Sequence, residues 1–186
     1  MSARVISGKA KGRKLKLVPG DSTRPVTDRV KQAVFNILDD IVADSAWLDL
    51  FAGTGSVGIE ALSRGAARVV FLDNAGAAIQ TIHDNLRHTG LEAGAQVVRT
   101  DAFRYLQRPP REGFDVVYVA PPQYHGLWKQ ALLELDRRPE WLYPEGIVVV
   151  QIDPKEKENI DLQHLEAYDE RTYGNTLVWF FERPGE

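Results

Sequence analysis

The chain has 186 residues, 44% of them apolar, which fits one domain with a sizeable core. It contains no cysteine, which excludes disulfides, zinc–thiolate sites and cysteine nucleophiles, and its four histidines lack metal-ligand spacing. It has no N-terminal apolar segment and no run of about 18 apolar residues. We therefore expect a soluble cytoplasmic protein, a monomer, with no metal and no membrane partner.

Charge is distributed unevenly along the chain. Residues 1–36 contain nine Lys or Arg against two Asp, a net +7, so the −3 of the whole chain leaves −10 for the remainder. A basic segment on an acidic body suits a polyanionic partner such as RNA; the alternative interpretation is a solvated terminal tail. The side chains that we expect to contact nucleic acid are Arg4, Lys9, Lys11, Arg13, Lys14, Arg24 and Arg29.

Two elements are predicted before residue 45. Residues 4–18 alternate apolar and basic side chains between glycines, which predicts a small β-hairpin that needs support from the main domain or from a partner. A helix follows to about residue 41, with Thr27 as its cap. Arg29 lies in the first turn of that helix, where it faces the ligand cleft or is a solvated cation.

The stretch 46–60 is typical of a buried strand at 46–51, a glycine-rich turn and a helix N-terminus. Gly53-x-Gly55-x-x-Gly58 fits the dinucleotide fingerprint, although such glycines also simply form turns. Asp49, at the expected carboxyl end of the strand, would oppose a pyrophosphate. It favours a cationic ligand instead, such as the ammonium of a methionine-type ligand.

Strands and helices then alternate to the end of the chain. Four further strands are predicted at 68–73, 95–99, 114–119 and 147–152, with helices between them, one capped by Asn74. This alternation indicates a mostly parallel sheet covered on both faces. Strands 162–168 and 176–182 are joined by too short a link for a helical crossover, so we expect them to pair antiparallel.

Three carboxylates follow successive predicted strands and should share one edge of the sheet. Asp73 lies about twenty residues after the glycine turn, the spacing at which a carboxylate accepts ribose hydroxyls. Capping of the next helix is the alternative for Asp73, and an N-cap explains Asp101 as well. The convergence of Asp49, Asp73 and Asp101 is more informative than any one of them.

Two motifs resemble those of S-adenosylmethionine-dependent methyltransferases. The pattern D-x-F-x-G-x-G from Asp49 resembles their motif I. Ala120-Pro121-Pro122-Gln123-Tyr124 resembles the motif IV of enzymes that methylate exocyclic base amines, in which Asn/Asp-Pro-Pro-Tyr/Phe holds the target nitrogen and the aromatic stacks on the extruded base. This chain has Ala120 in place of the side-chain acceptor.

From residue 4 to about 182 the chain resembles the RsmD family of small-subunit (16S) ribosomal RNA guanine-N2 methyltransferases. The matching residues are RVISGKAKGRKL, RPVTDRVKQAVFNIL, LDLFAGTGSVGIEALSRGA, the PPQY element and Tyr173-Gly174-Asn175-Thr176. The resemblance implies a Rossmann-like class I methyltransferase fold, with a mostly parallel seven-stranded sheet and an antiparallel last strand. It also implies an N-terminal arm (1–22) for RNA, a catalytic domain (23–186) and S-adenosyl-L-methionine as methyl donor.

The same resemblance implies roles for individual residues. The methionine end of the cofactor would lie against Asp49, Phe51, Gly53 and Gly55, its ribose against Asp73 and its adenine against Asp101. We expect the neighbouring Ala52, Asn74 and Ala102 to contact the cofactor as well. The target base would be held by Pro121, Pro122 and Tyr124, and we expect Gln123 to take part in catalysis.

Four functions remain open, and Ala120 bears on the first two. In an active enzyme, the Pro121 carbonyl would hold the amine, and Gln123 or an ordered water would supply the second acceptor. Otherwise the protein would bind cofactor and RNA as an assembly factor without transferring methyl groups. A nicotinamide dehydrogenase is opposed by Asp49 and by the basic segment. A methyltransferase for small molecules or proteins leaves the +7 segment unexplained.

Overall fold

The computed structural model describes residues 3–20 and 26–185. The strands are β1 (Ala3–Arg4), β2 (Lys14–Leu15), β3 (Ala46–Asp49), β4 (Arg68–Asp73), β5 (Ala95–Arg99), β6 (Phe114–Val119), β7 (Leu142–Ile152), β8 (Glu166–Tyr173) and β9 (Thr176–Glu182). The α-helices are α1 (Asp28–Ile37), α2 (Asp39–Val42), α3 (Ser56–Ser63), α4 (Gly76–Thr89), α5 (Ala102–Leu106) and α6 (Leu127–Arg137). Short 3₁₀ turns occupy Glu92–Gly94, Pro139–Trp141 and Pro154–Glu156.

Strands β3 to β9 form one seven-stranded sheet in the order β5-β4-β3-β6-β7-β9-β8. The first five strands in this order, β5, β4, β3, β6 and β7, pair in parallel. Strand β9 is antiparallel to both of its neighbours, β7 and β8. This confirms the predicted Rossmann-like sheet with its antiparallel last strand. The chain order reverses between β3 and β6, which is where open α/β sheets bind ligands.

Two apolar clusters cover the two faces of the sheet. Helices α3 and α4 pack against one side of β3 to β5, and α6 packs against β6 and β7. The strands in the middle of the sheet are apolar on both faces, as a sheet covered on both sides requires. None of the helices in the described residues is long and apolar enough to cross a membrane.

Several predicted boundaries were wrong. Strand β3 ends at Asp49 rather than residue 51, β7 begins at Leu142 rather than 147, and the first helix breaks after Ile37. Asn74 does not cap a helix: the Asp73 carboxylate accepts the N–H of Ala75 at 3.0 Å, and α4 begins only at Gly76. The carboxylate of Asp73 thus accepts the N–H of Ala75, the residue just before the helix.

The largest error concerns the penultimate strand, expected at 162–168 and found at Glu166–Tyr173. The buried carboxylate of Asp136, at the end of α6, accepts the backbone N–H groups of Gln163, His164 and Leu165 at 2.8–3.1 Å. Those amides are therefore unavailable for a sheet, and pairing starts after them.

The N-terminal hairpin packs on the main domain, as expected for so small an element. The backbone N–H groups of Ile6 and Ser7 donate to the carboxylate of Glu60 in α3, at 2.9 and 3.1 Å. The Ala10 N–H donates to the Ser63 hydroxyl at 2.9 Å, and Lys16 bonds to Asn85 of α4. The predicted boundary between arm and domain, at residues 22 and 23, lies outside the described residues. Arg24, predicted to contact nucleic acid, lies outside them too.

Candidate active site

A cleft of about 1300 Å³ runs along the carboxyl edge of the sheet. One end is lined by the carboxyl ends of β3, β4 and β5 and the residues just after them, including Asp49, Asp73 and Asp101. The other end is lined by residues 120–124, after β6, and by Gln151–Asp153, at the end of β7. Residues 17–20 of the hairpin and the start of α1 lie along its border. The two predicted halves of the site therefore share one cavity.

Asp49 is a buried acid on this cleft, with 3% of its surface exposed. Burial, with a smaller contribution from the charge of Asp73, raises the pKa of Asp49 to about 7. Among the described residues no cationic side chain offsets this shift; only the backbone of Phe51 and Gly58 opposes it. A buried carboxylate without a cationic partner is suited to a ligand that carries a positive charge.

The glycine turn after β3 is shaped by backbone geometry. Gly53 and Gly55 have φ of +56° and +81°, a region that favours glycine, and Gly55 is the N-cap of α3. A Cβ on Gly58 would lie 2.3 Å from the ring of Phe71, so this glycine allows α3 to pack closely on β4. These are the roles of a tight turn and of close helix–sheet approach in dinucleotide-type loops.

Asp73 braces that turn from the neighbouring strand. Its Oδ2 accepts the Gly53 N–H at 3.0 Å, while its Oδ1 accepts the Ala75 N–H. The side chain is half-buried and lines the cleft, and Asn74 beside it is exposed. Each carboxylate oxygen retains one acceptor position, which is what a ribose diol requires.

Asp101 is the N-cap of α5. Its Oδ1 accepts the N–H groups of Phe103 and Arg104, both at 3.0 Å, as the capping interpretation predicts. The side chain is nevertheless exposed to the cleft. Beside it, Ala102 is buried, and the rings of Phe51 and Phe103 meet edge to face with centroids 6.3 Å apart. An acid next to apolar surface is suited to a planar base with an exocyclic amine.

The segment after β6 is held by the turn that follows β7. Tyr124 has φ of +66°; its N–H donates to Glu156 at 2.8 Å, and its hydroxyl donates to Asp153 at 2.6 Å. The Tyr124 side chain remains 61% exposed. Pro121 is buried, whereas Pro122 and Gln123 are exposed. An aromatic ring fixed at its backbone and its hydroxyl, yet open to solvent, can stack on a base.

Exposed cationic side chains lie on the hairpin, and one lies at the cleft itself. Arg29 lines the cleft with its guanidinium carbon 5.5 Å from the centroid of the Tyr173 ring, which favours the cleft-facing interpretation over a solvated cation. Lys9, Lys11, Arg13 and Lys14 are exposed along the hairpin. Arg4 is exposed too, but its guanidinium is paired with Asp28 at 2.9 Å. Over the described residues, no group of three or more His, Asp or Glu side chains is arranged to hold a metal ion.

Sequence patterns did not reveal the polar residues that hold this site together. Asn85, buried in α4, donates to the carbonyls of Lys16 and Thr54 at 3.1 and 2.9 Å, and so joins the hairpin to the glycine turn. Lys31 and Glu60 form a buried ion pair beneath the hairpin. Their signal was present but weak: each is a charged residue on the apolar side of a helix.

Comparison with known proteins places the chain in a family. Residues 3–182 match the model described as "Conserved hypothetical protein 95". A Haemophilus influenzae protein named "Ribosomal RNA small subunit methyltransferase D" is 35% identical, over 92% of this chain and 89% of its own length. The chain belongs to the RsmD family. This confirms the resemblance found in the sequence motifs.

Two further proteins align with the chain along their whole length. The Bacillus subtilis protein named "Putative rRNA methyltransferase YlbH" is 40% identical over 98% of this chain and 100% of its own. The structure described as "Putative methyltransferase yhhF from Escherichia coli", 30% identical, superposes with a TM-score of 0.88 and covers 100% of both chains. The elements that form the cleft therefore belong to a fold that this chain and the yhhF structure have in common over their whole length.

Proposed function

We propose that this protein transfers a methyl group from S-adenosyl-L-methionine to the exocyclic N2 of a guanine in small-subunit ribosomal RNA. The observation that carries the proposal is the single cleft that joins Asp49, Asp73 and Asp101 to the segment 120–124. Support comes from the relative named for small-subunit ribosomal RNA methylation and from the exposed cations of the hairpin, whose chain continues to the border of the cleft at residues 17–20.

The residues of the cleft fit such a methyl donor. Asp49 is the buried acid that a ligand ammonium would neutralise, Asp73 has acceptor positions for ribose hydroxyls, and Asp101 faces the cleft beside Ala102. When bound, S-adenosyl-L-methionine supplies an electrophilic methyl group on a sulfonium. The glycine turn brings backbone N–H groups, rather than side chains, close to that ligand.

The remaining residues position the nucleotide. The ring of Tyr124 stacks on the extruded guanine, the Pro121 carbonyl accepts one N–H of its N2 amine, and Pro122 and Gln123 border the base. Exposed cations of the hairpin contact phosphates, which gives affinity but little sequence information. Catalysis of this kind depends on orientation of the amine towards the methyl group and needs no covalent enzyme intermediate.

Single-turnover methylation with labelled cofactor tests the proposal. Small-subunit RNA, naked and in part-assembled subunits, is digested to nucleosides and analysed by mass spectrometry; N2-methylguanosine is the expected product. A methyl group on another atom contradicts the N2 assignment. In the same assay, full activity of Gln123→Ala excludes Gln123 as an acceptor. Calorimetry with S-adenosyl-L-methionine against NAD tests the dehydrogenase alternative.

The second candidate is a ribosome-assembly protein that binds cofactor and RNA without methyl transfer. Ala120 favours it, because loss of one hydrogen bond to a buried polar group costs about 1–3 kcal/mol, or roughly one to two powers of ten in rate. RNA from a strain that lacks the protein separates the two candidates. The assembly protein predicts an assembly defect with every methylated guanine still present.

A further inference from the structure

The carboxyl end of β7 lies beside the end of β6, where residue 120 is an alanine and so has no side-chain hydrogen-bond acceptor. Strands β6 and β7 are parallel, and Tyr118 lies opposite Val149 in their register. Side chains alternate along a strand, so Ala120 shares a face with Gln151. Asp153 continues that alternation, because its backbone is still extended, with φ of −69° and ψ of 137°. The carboxylate of Asp153 is therefore directed to the side on which residue 120 would present an acid.

Asp153 has acceptor capacity to spare. Its Oδ2 accepts the Tyr124 hydroxyl at 2.6 Å, and its Oδ1 accepts the N–H of Lys155 at 2.9 Å. A carboxylate offers roughly four acceptor positions, so each oxygen can take one more hydrogen bond. The bond from Tyr124 also lowers the pKa of Asp153, which keeps the carboxylate ionised at neutral pH. Asp153 lines the same cleft as Ala120 and Pro121.

A second hydrogen bond fixes the geometry between Asp153 and the base-binding segment. The Glu156 carboxylate accepts the Tyr124 N–H at 2.8 Å with one oxygen and the Asp153 N–H at 3.3 Å with the other. The segment 121–124 and the turn at 153–156 are thus joined at both backbone and side chain. The carboxylate and the stacking ring are held together before a nucleotide arrives.

Gln151 is the competing acceptor on this face. The hydroxyl of Tyr118 donates to its Oε1, and burial raises the pKa of Tyr118, so that hydroxyl stays protonated and the bond persists. An amide oxygen that already accepts one bond also carries no net charge. A carboxylate interacts more strongly with an amine that becomes cationic during the reaction. These contacts favour Asp153 over Gln151.

We propose that Asp153 is the side-chain acceptor for the target amine, replacing the acid or amide that position 120 lacks. This rests on the proposed function. One amine N–H donates to the Pro121 carbonyl and the other to Asp153. The N2 lone pair bonds to the methyl carbon of the sulfonium donor as the carbon–sulfur bond breaks, and sulfur keeps that electron pair. The cationic nitrogen then releases one proton to Asp153, and Asp153 passes it to water.

Single-turnover methylation of small-subunit RNA tests this role with Asp153→Ser. Serine can still cap the Lys155 N–H, so the turn is retained, but it removes the carboxylate. The rate should fall about 10–100-fold, which is the loss of one hydrogen bond to the reacting group. The cofactor Kd, measured by calorimetry, should stay within about twofold. Asp161→Ser, an exposed acid of the same loop outside the cleft, should match the parent.

Two further variants separate a direct role from a structural one. Asp153→Asn keeps an acceptor oxygen and should retain more activity than Asp153→Ser. Adding Ala120→Asp to Asp153→Ser should restore part of the rate, because it returns an acceptor to the same face. Tyr124→Phe, which breaks only the bond between the hydroxyl and Asp153, should lose less than Asp153→Ser.

Each contrary result has a distinct meaning. An active parent with full activity in Asp153→Ser overturns the role of Asp153 alone. A loss in Tyr124→Phe as large as that in Asp153→Ser, with no recovery by Ala120→Asp, overturns it as well, because Asp153 then acts only through Tyr124. If Asp153→Ser does not fold, Asp153→Asn with and without Ala120→Asp decides the question. A parent that methylates no guanine overturns the proposed function.

Discussion

The ammonium of Lys31 lies 3.2 Å from the carboxylate of Glu60, and the two side chains are only 1% and 0% exposed. Lys31 also donates to the carbonyl of Arg4 at 2.6 Å and to the hydroxyl of Ser56 at 2.9 Å. Glu60 in turn accepts two hairpin amides. One buried pair thus connects the hairpin, α1 and the first residue after the glycine turn. It makes the position of the hairpin depend on that of the glycine turn.

Removal of one partner should be costly. Burial lowers the pKa of Lys31, and the charges of Glu60 and, to a smaller extent, Asp28 oppose that effect. Lys31→Met removes one of the two cations that pair with Glu60, since Arg64 Nε stays 2.8 Å from the same carboxylate, and should reduce the free energy of unfolding by about 1.5–3 kcal/mol. Urea unfolding measures the loss. Lys16→Met, whose partner Asp84 is 3.6 Å away and whose side chain is 71% exposed, should lose no more than about 1 kcal/mol.

The charged cluster of Lys31, Glu60 and Arg64 should be replaceable as a whole. The triple variant Lys31→Met, Glu60→Leu and Arg64→Met removes all three charges and should recover much of the stability lost in Lys31→Met. Part of the stability should stay lost, because the backbone N–H groups of Ile6 and Ser7 no longer have the Glu60 carboxylate as acceptor. Equal stability of Lys31→Met and the parent would show that the pair has no structural role.

Asp49 should make cofactor affinity dependent on pH. Its pKa is raised to about 7, so it is largely neutral below that pH and attracts a ligand ammonium less. The Kd for S-adenosyl-L-methionine should rise by up to about tenfold per pH unit as pH falls from 7.5 to 5.5. Calorimetry measures it, and the Kd of Asp49→Asn should be higher and nearly independent of pH. A flat profile in the parent excludes Asp49 as the partner of the ammonium.

The same group should change stability in the absence of ligand. Because the folded-state pKa of Asp49 lies above its ordinary 3.8, its contribution is fully present below pH 3.8 and is lost as pH rises through about 7. Asp49→Asn should therefore gain stability relative to the parent between pH 5 and pH 8. The gain is at most about 4 kcal/mol. Thermal unfolding at the two pH values checks the sign.

Gly58 should tolerate no side chain, in contrast to a glycine of the next helix. Gly58→Ala forces a Cβ against the ring of Phe71, 2.3 Å away, and should lower the free energy of unfolding by about 1–3 kcal/mol. Gly76→Ala in the first turn of α4 meets only the flexible end of Arg99, at 3.2 Å. It should be neutral or stabilising by up to about 1 kcal/mol. Equal effects in urea unfolding would contradict the packing argument.

The hairpin should contribute affinity for RNA with little sequence preference. Replacement of Lys9, Lys11, Arg13 and Lys14 by Gln should weaken binding to small-subunit RNA and reduce the slope of log K against log salt. The slope should fall by about 0.7–0.9 for each phosphate contact that is lost. Filter binding at several salt concentrations measures it. The control replaces Lys129 and Lys155, which lie outside the hairpin, by Gln. If the hairpin variant leaves the slope unchanged, the RNA-binding surface lies elsewhere.

The polar network around Asp153 and Tyr124 could not be read from the sequence. The two residues are 29 positions apart, and their contact depends on the parallel register of β6 and β7. Nothing in the local pattern distinguishes Asp153 from other acids in the loop after β7. Likewise, Lys31 and Glu60 belong to helices whose patterns predict only which face is buried.

Strand β8 shows the opposite limitation. Its residues Glu166–Tyr173 are mostly polar and exposed, since it is the edge of the sheet and its neighbour is only β9. An edge strand of this kind has no apolar alternation to detect. The apolar residues just before β8 predict a strand at 162–168 instead. In the structure, the Asp136 carboxylate accepts the N–H groups of Gln163 and Leu165 in that segment.

The sequence by itself determined the strand, glycine turn and helix at 46–63, the order of strands and helices, and the convergence of Asp49, Asp73 and Asp101 on one edge. It could do so because apolar periodicity and glycine spacing are local, and parallel strands must present their carboxyl ends together. Tertiary structure alone decided how the hairpin is anchored and which acid accepts the Tyr124 hydroxyl. Those contacts join residues distant in the chain, and their energies depend on burial, which no local pattern reports.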